Sequence, residues 1–389
     1  MNSNDLDLKE FLIPEIDEGI FNSSFDVFMS KYVAQPQFNL GFHHFIHQSF
    51  ENFLKILKEQ GTKTFYWVVN GYEIFLNDQD KKTELIDNIK LYLNLDNNSV
   101  ELLNNKFLEL WEILMIYKLL NKSTKVNIIT SKKDTKDRIE LSLDSYFNKI
   151  NKITNNKSSK LSYDNKSYDV SFILSTNYVD YVRESESIHF KEIITDTYKS
   201  LDLLNSDGSI VINIGDTFTT PTIKLIVLLK SLFNQVSIYK PYYSRPNSSQ
   251  KYLVCIGFNR DKYDKISKKL EKCINLINKN KDDFVIDFMS DINIPAPIMN
   301  VMTYINILLS GIQHRESNKI IKYIKSENYF GQEYQEYIIR QSECTQYFLS
   351  TFFPVDKNDY DIVQKKFKET LTKNINIIKE FKNTKTIMT

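Results

Sequence analysis

Two sets of side chains in this 389-residue chain have types and spacing that could do chemistry. His43, His47 and Glu51 recur at every fourth position, so on a helix they would share one face and could offer metal ligands. An aromatic-rich packing segment that contains histidines is the default reading, and no further histidine pair exists to complete a site. The second set is Lys240, Ser244 and Arg245, which flank a lysine-proline step and a serine-arginine-proline turn. Cations beside a fixed turn could contact RNA phosphates or a protein partner. A basic strip of Lys262, Lys265, Lys268, Lys269 and Lys272 could extend that contact, with a solvated helix face as the plain alternative.

Composition limits both ideas. There are 50 Lys and Arg against 49 Asp and Glu, so the formal charge is +1 and any RNA contact needs a local basic groove. Cys255, Cys273 and Cys344 stand far apart, which argues against a disulfide framework or a structural zinc site and implies a reducing compartment. The first 18 residues are acidic and polar, unlike a signal peptide, and no apolar run approaches the roughly 20 residues that span a bilayer. The expectation is a cytoplasmic protein with no metal and no membrane partner. A hydrophobic content of 42% suffices for one large domain or two to three ordinary ones.

The elements that hold these side chains are most legible over residues 207–258. Asp207-Gly208 turns into a β-branched run at 209–214, short enough for a buried strand. Residues 222–233 then place Ile223, Leu225, Ile226, Leu228, Leu229 and Leu232 at helical spacing. Strands are predicted at 235–239 and 251–258, with a turn at 245–249 between them. Two adjacent strands joined by a short turn on an otherwise parallel sheet are typical of doubly wound α/β domains.

Upstream, the apolar stripe through Leu103, Phe107, Leu110, Trp111 and Leu114 predicts a helix over 100–120. Strands are expected at 125–130 and 168–175, a helix at 188–204, and a polar surface loop at 146–167. The N-terminal portion reads as a helix at 42–58, a strand at 64–70 and a helix at 81–93. Beyond 258 the pattern predicts amphipathic helices over 262–278, 299–309, 317–328, 332–348 and 360–381, with Pro295 and Pro297 marking a linker.

Gly208 with the run 210–212, Lys240-Pro241, Ser244-Arg245-Pro246 and Lys251-Tyr252 resemble the FtsJ-like (RrmJ-type) ribose 2′-O-methyltransferases, as carried by large cytoplasmic DNA viruses. Leu110-Trp111-Glu112 is similar to the helix before the family's first strand. The resemblance covers roughly residues 100–258 and implies an α/β fold: a Rossmann-like S-adenosylmethionine-dependent methyltransferase sheet over 100–260. A mixed, helical N-terminal extension over 1–99 and a helical C-terminal region over 261–389 would flank it.

In that family a central lysine, steered by an aspartate, a glutamate and a second lysine, activates the ribose hydroxyl. The resemblance aligns these four positions with Glu109, Thr176, Asn213 and Gln250, none of which is a lysine-type base. It aligns the family's glycine-rich cofactor loop with Ser131, Lys132, Lys133 and Asp134 and the residues to 137, and there is no glycine between Gly71 and Gly208. These departures imply a degenerate member with no catalytic residue and no expected cofactor, S-adenosylmethionine being held only if the pocket is retained. It would act as a binding or stabilising subunit in mRNA capping, transcription or virion assembly, with a protein partner, in the cytoplasm, a viral factory or a virion. Two alternatives stay open. One is an active cap-specific mRNA 2′-O-methyltransferase with a displaced set, Lys224 or Lys240 as base beside Asp180 or Asp216. The other is an RNA-binding module without chemistry.

Overall fold

Strands that read as continuous apolar runs are buried on both faces, and three such strands form the middle of the main sheet. The computed structural model describes residues 9–16, 18–60, 64–73, 79–100, 102–120, 125–130, 133–154, 160–163, 166–174, 182–327 and 331–385. The first half of the chain gives β1 (Lys9–Leu12), β2 (Val27–Ser30), α1 (Leu40–Gln60), α2 (Gln79–Leu93), α3 (Asn97–Val100) and α4 (Asn105–Tyr117). Next come β3 (Val126–Ile129), α5 (Lys133–Thr154), β4 (Tyr168–Ile173), α6 (Ser185–Leu203), β5 (Leu204–Ile214), α7 (Thr220–Leu232), β6 (Phe233–Lys240) and β7 (Lys251–Phe258). The chain continues through α8 (Arg260–Lys279), β8 (Phe284–Phe288), α9 (Ala296–Ser326), α10 (Gln332–Phe352) and α11 (Lys357–Lys385).

The main sheet has the order β1-β6-β7-β5-β4-β3. β3, β4 and β5 run parallel, while β7 is antiparallel to both β5 and β6 and β1 is antiparallel to β6. The molecule thus has the mixed α/β, Rossmann-like sheet with helical extensions that the sequence implies. Gly208 is required at the start of β5, because a Cβ there would stand 2.9 Å from the Asp169 carbonyl oxygen. One face of the sheet packs through Ile210, Ile212, Leu253 and Cys255 on α6, α7 and α8. The other packs through Val211, Tyr239, Tyr252 and Val254 on α4 and α5.

Several local expectations change. Residues 146–154 belong to α5, whose Ile139, Leu143, Tyr146, Phe147 and Ile150 are buried at helical spacing among Lys and Asn. The predicted loop at 131–137 likewise becomes helix from Lys133 onward. Residues 64–69 form a 3-10 helix rather than a strand, a short apolar run being ambiguous by period alone. The two helices expected over 299–328 are one, α9, which runs through Gly311 because Ile305 and Leu309 before it and Ile320 after it are buried. Among the described residues β3 is the sheet's last strand, joined outward only by a bridge from Lys125 to Ser162. β1 and the two-stranded β2-β8 pair had no counterpart in the sequence reading.

Candidate functional site

Asn104 caps α4, its Oδ1 accepting from the Phe107 amide at 3.1 Å, and the helix then buries every residue from Phe107 to Ile116. Two of those buried residues are Glu109 and Glu112, so the sheet beneath must supply their partners. It does so through one transverse row. Asn213 of β5 stands opposite Tyr252 of β7, Tyr252 opposite Tyr239 of β6, and Tyr239 opposite Glu10 of β1.

α4 crosses this row and pairs with β7, β6 and β1 in turn. The Tyr252 hydroxyl donates to Glu109 and the Tyr239 hydroxyl to Glu112, while the Tyr117 hydroxyl donates to Glu10 Oε1 at 2.9 Å. Lys106, one turn before Glu109, brings its ammonium to 2.8 Å from the Glu109 carboxylate and 2.6 Å from the Tyr252 hydroxyl. Both Glu112 oxygens also accept from the Tyr242 amide at 3.1 Å. Burial pushes the Glu112 carboxyl up to about 8, against the opposing pull of the Tyr239 and Tyr242 hydrogen bonds. Burial raises Glu10 as well, and the Tyr252 and Tyr239 hydroxyls move well above the ordinary tyrosine value, chiefly by burial and then by the neighbouring carboxylates. Asn213 is 2% exposed; its amide adjoins the Tyr252 hydroxyl, but Nδ2 completes no hydrogen bond of good geometry.

The serine-arginine-proline turn is built around Lys240. Its ammonium donates to Ser244 Oγ and to the carbonyls of Arg245, Ser248 and Gln250 at 2.7–3.0 Å. Ser244 is buried and donates in turn to the Gln250 carbonyl at 3.1 Å. Arg245 pairs with Glu73 at 2.8 Å and lies over the Trp67 ring at 3.8 Å. All three are therefore engaged within the chain. Lys224 is too, its ammonium bonded to Asp287 and to the Met289 carbonyl, each at 2.9 Å.

The loop after β5 is held from four sides. Glu186 of α6 accepts from the amides of Phe218 and Thr219 at 3.0 and 2.9 Å, filling the anion-binding start of α7 with the chain's own carboxylate. Asn306 of α9 exchanges two hydrogen bonds of 2.7 and 2.8 Å with Thr217. The amides of Gln37 and Phe38 donate to the Phe218 carbonyl. The His43 and His47 rings of α1 meet at a tilt of 54° with centroids 4.4 Å apart, and His47 Nε2 lies 3.9 Å from Asp216. Glu51 shares their face but pairs with Arg183 at 3.1 Å. Among the described residues no group of three or more His, Cys, Asp or Glu could hold a metal ion.

Of the four aligned positions, the structure brings Glu109 and Asn213 to one hydroxyl, that of Tyr252. Gln250 is half-buried at the entry to β7, where its backbone receives Lys240. Thr176, Ser131, Lys132 and Asp180 lie outside the described residues, and Lys133 and Asp134 are placed only as the first residues of α5. Two further ammonium groups stand near these positions. Lys106 reaches the Glu109 position from one helical turn away, and Lys251 donates to the Gly215 carbonyl just past the end of β5. The i, i+3 spacing of Lys106 and Glu109 was the available signal for the first.

Residues 111–258 match the FtsJ-like methyltransferase family. An uncharacterized protein of Acanthamoeba polyphaga mimivirus is 27% identical over 254 residues, 64% of this chain and 66% of that protein. An inactive cap-specific mRNA (nucleoside-2′-O-)-methyltransferase 1B of Caenorhabditis briggsae is 30% identical over 97 residues, 23% of this chain and 11% of that protein. The cap-specific mRNA (nucleoside-2′-O-)-methyltransferase of Autographa californica nuclear polyhedrosis virus is 30% identical over 105 residues, 25% of this chain and 40% of that protein. The chain thus spans less than two thirds of the length of each of these relatives.

Proposed function

Since residues 111–258 are an FtsJ-like methyltransferase domain, we propose that this protein is a catalytically inactive 2′-O-methyltransferase-like subunit. In this reading it binds or stabilises a protein partner in viral mRNA capping, transcription or virion assembly. The observation that carries the reading is Asn213. Attack of a ribose hydroxyl needs a group that can take its proton, and a carboxamide does not titrate. Asn213 is instead locked between strands in a row whose Glu109 and Glu112 are hydrogen-bonded to tyrosines.

The residues present do not fit S-adenosylmethionine. Between the end of β3 and the start of α5 the sequence is Thr130-Ser131-Lys132, with no glycine where the ligand needs bare backbone. Beyond β3 the described residues supply only the Lys125–Ser162 bridge, in the place of strands that would hold the ribose and adenine. Isothermal titration with S-adenosylmethionine is expected to show no heat of binding, and the protein is expected to transfer no methyl group to a capped oligoribonucleotide. Micromolar binding would sink the proposal. Co-purification from the native source should return a protein partner in stoichiometric amount. No described helix is long and apolar enough to cross a membrane.

Lys106 favours one competing reading, a working enzyme whose helix lysine has moved by one turn. It predicts methyl transfer that Lys106→Ala abolishes. The arrangement of Lys240 and Arg245, spent on the turn and on Glu73, weighs against an RNA-binding surface there.

A further inference from the structure

We propose that the amino-terminal half of α1, residues 40–50, is a strap that opens and closes over the loop after β5 while the sheet stays folded. This goes beyond the reading above and does not depend on it. The strap is poorly anchored at its start. Asn39 precedes α1 with φ 57°, its side-chain oxygen caps nothing, and the first turn holds no acidic residue. Leu40 and Phe45 are 60% and 44% exposed.

Among the described residues its buried apolar side chains, Ile46 and Phe50, form with Phe218 a small cluster separate from the large cores on the two faces of the sheet. The rest of the grip is polar or aromatic and exchangeable for water: the His43 ring meets Phe218 edge-on at 5.1 Å, the Phe45 ring lies against His314 of α9 with centroids 3.9 Å apart, and Ser49 Oγ shares a 2.6 Å hydrogen bond with the His314 ring. Buried His47 Nε2 has no hydrogen-bond partner among the described residues, so closure leaves an imidazole nitrogen unsatisfied. The carboxyl-terminal half of α1 is different, with Phe53 packed on Ile320, Tyr323 and Ile324 of α9. Segments with few buried apolar contacts open below the global unfolding free energy.

Protons act on the same joint. Burial and then the mutual repulsion of the pair hold His43 down to about 4, and burial followed by Arg183 does the same for His47. The charged and titratable groups facing them are His44 and Glu51 of α1, Arg183, Glu184 and Glu186 at the start of α6, and Asp216, while His314 of α9, itself lowered by burial, faces Phe45 and Ser49 of the same segment. Both folded values are depressed below 6.5, so closure is fully favoured above that pH and loses support as pH falls towards 4.

Native-state hydrogen exchange on the full chain, corrected for intrinsic rates, tests this. At pH 7, peptides covering 40–50 and 216–220 are expected to exchange together and well before those of β5 and β7. His47→Leu should slow both peptides about 10-fold, and Phe50→Ala should speed both by at least about 10-fold. Between pH 6.5 and 4 the opening constant should rise by roughly 100-fold per histidine, and by less in His47→Leu. Exchange of 40–50 only in step with β5 and β7 in the wild-type protein overturns the strap without reference to any variant. So does a His47→Leu protein whose 216–220 peptide is unchanged. Methyl transfer plays no part in this readout, so failure of the strap and failure of the inactive-subunit reading are told apart.

Discussion

Glu112 illustrates how strongly a single buried carboxyl can tie this fold to pH. Its folded value is raised from 4.5 to about 8, so the stability it contributes is full below 4.5 and is lost as pH rises through 8. Glutamine keeps the acceptor for the Tyr242 amide and needs no proton. Glu112→Gln should therefore leave the melting temperature near wild type at pH 5 and raise it by several degrees at pH 8.5, about 1–3 kcal/mol in stability. Equal melting curves for the two proteins across that range would show that Glu112 titrates normally. The neighbouring Asn213 makes the opposite experiment. Asn213→Lys installs the lysine that the family resemblance aligns there but buries an ammonium beside Tyr252, whose hydroxyl already receives Lys106. It should cost about 3 kcal/mol and yield no methyl transfer, because one lysine does not rebuild a cofactor seat. Denaturant unfolding and a methyl-transfer assay check the two halves separately.

At the scale of elements, α4 is where sequence and structure agree most usefully. Its Trp111 is fully buried, stacks on Phe353 at 4.8 Å and donates its indole N–H to the Phe352 carbonyl at 2.6 Å, tying α4 to the end of α10. Trp111→Ala should cost about 3–5 kcal/mol, measured by urea unfolding. Lys240→Met should cost about 2–4 kcal/mol by removing the ammonium that four acceptors in the turn share, with the loss concentrated in hydrogen exchange of residues 241–250. The α4 stripe and the β5-α7-β6-β7 unit were legible because apolar period and turn residues sit close together in the chain. α5 was not, since five buried residues spread among Lys and Asn resemble a polar loop unless the period is counted. β1, β8 and the row from Asn213 to Glu10 were not legible either. Their pairings join residues far apart in sequence, such as Glu10 with Tyr239, which local pattern cannot register. The same limit hid Lys106, which matters only once Tyr252 is beside it.

For the whole molecule, the distinction between a silent domain and a working one can be read without assuming where a ligand sits. A ligand that binds only the folded state adds RT ln(1 + [L]/Kd), so a retained micromolar site would add about 4 kcal/mol at millimolar S-adenosylmethionine. That increment would move the melting temperature by several degrees even in a chain of 389 residues. We expect no shift with S-adenosylmethionine and none with capped RNA in excess. A partner recovered from the native source should instead raise the transition, because an inert domain kept for binding is stabilised by what it binds. The charge balance sharpens the RNA arm. With 50 basic against 49 acidic side chains, residual RNA association has no long-range field to draw on. Its affinity should then fall by less than about 10-fold between 50 and 200 mM salt, whereas a protein neutralising six or more phosphates loses about 1,000-fold or more. A steep salt dependence measured on the full chain would place RNA on a basic surface other than the Lys240 turn, and would move the search for function from a protein partner to that surface.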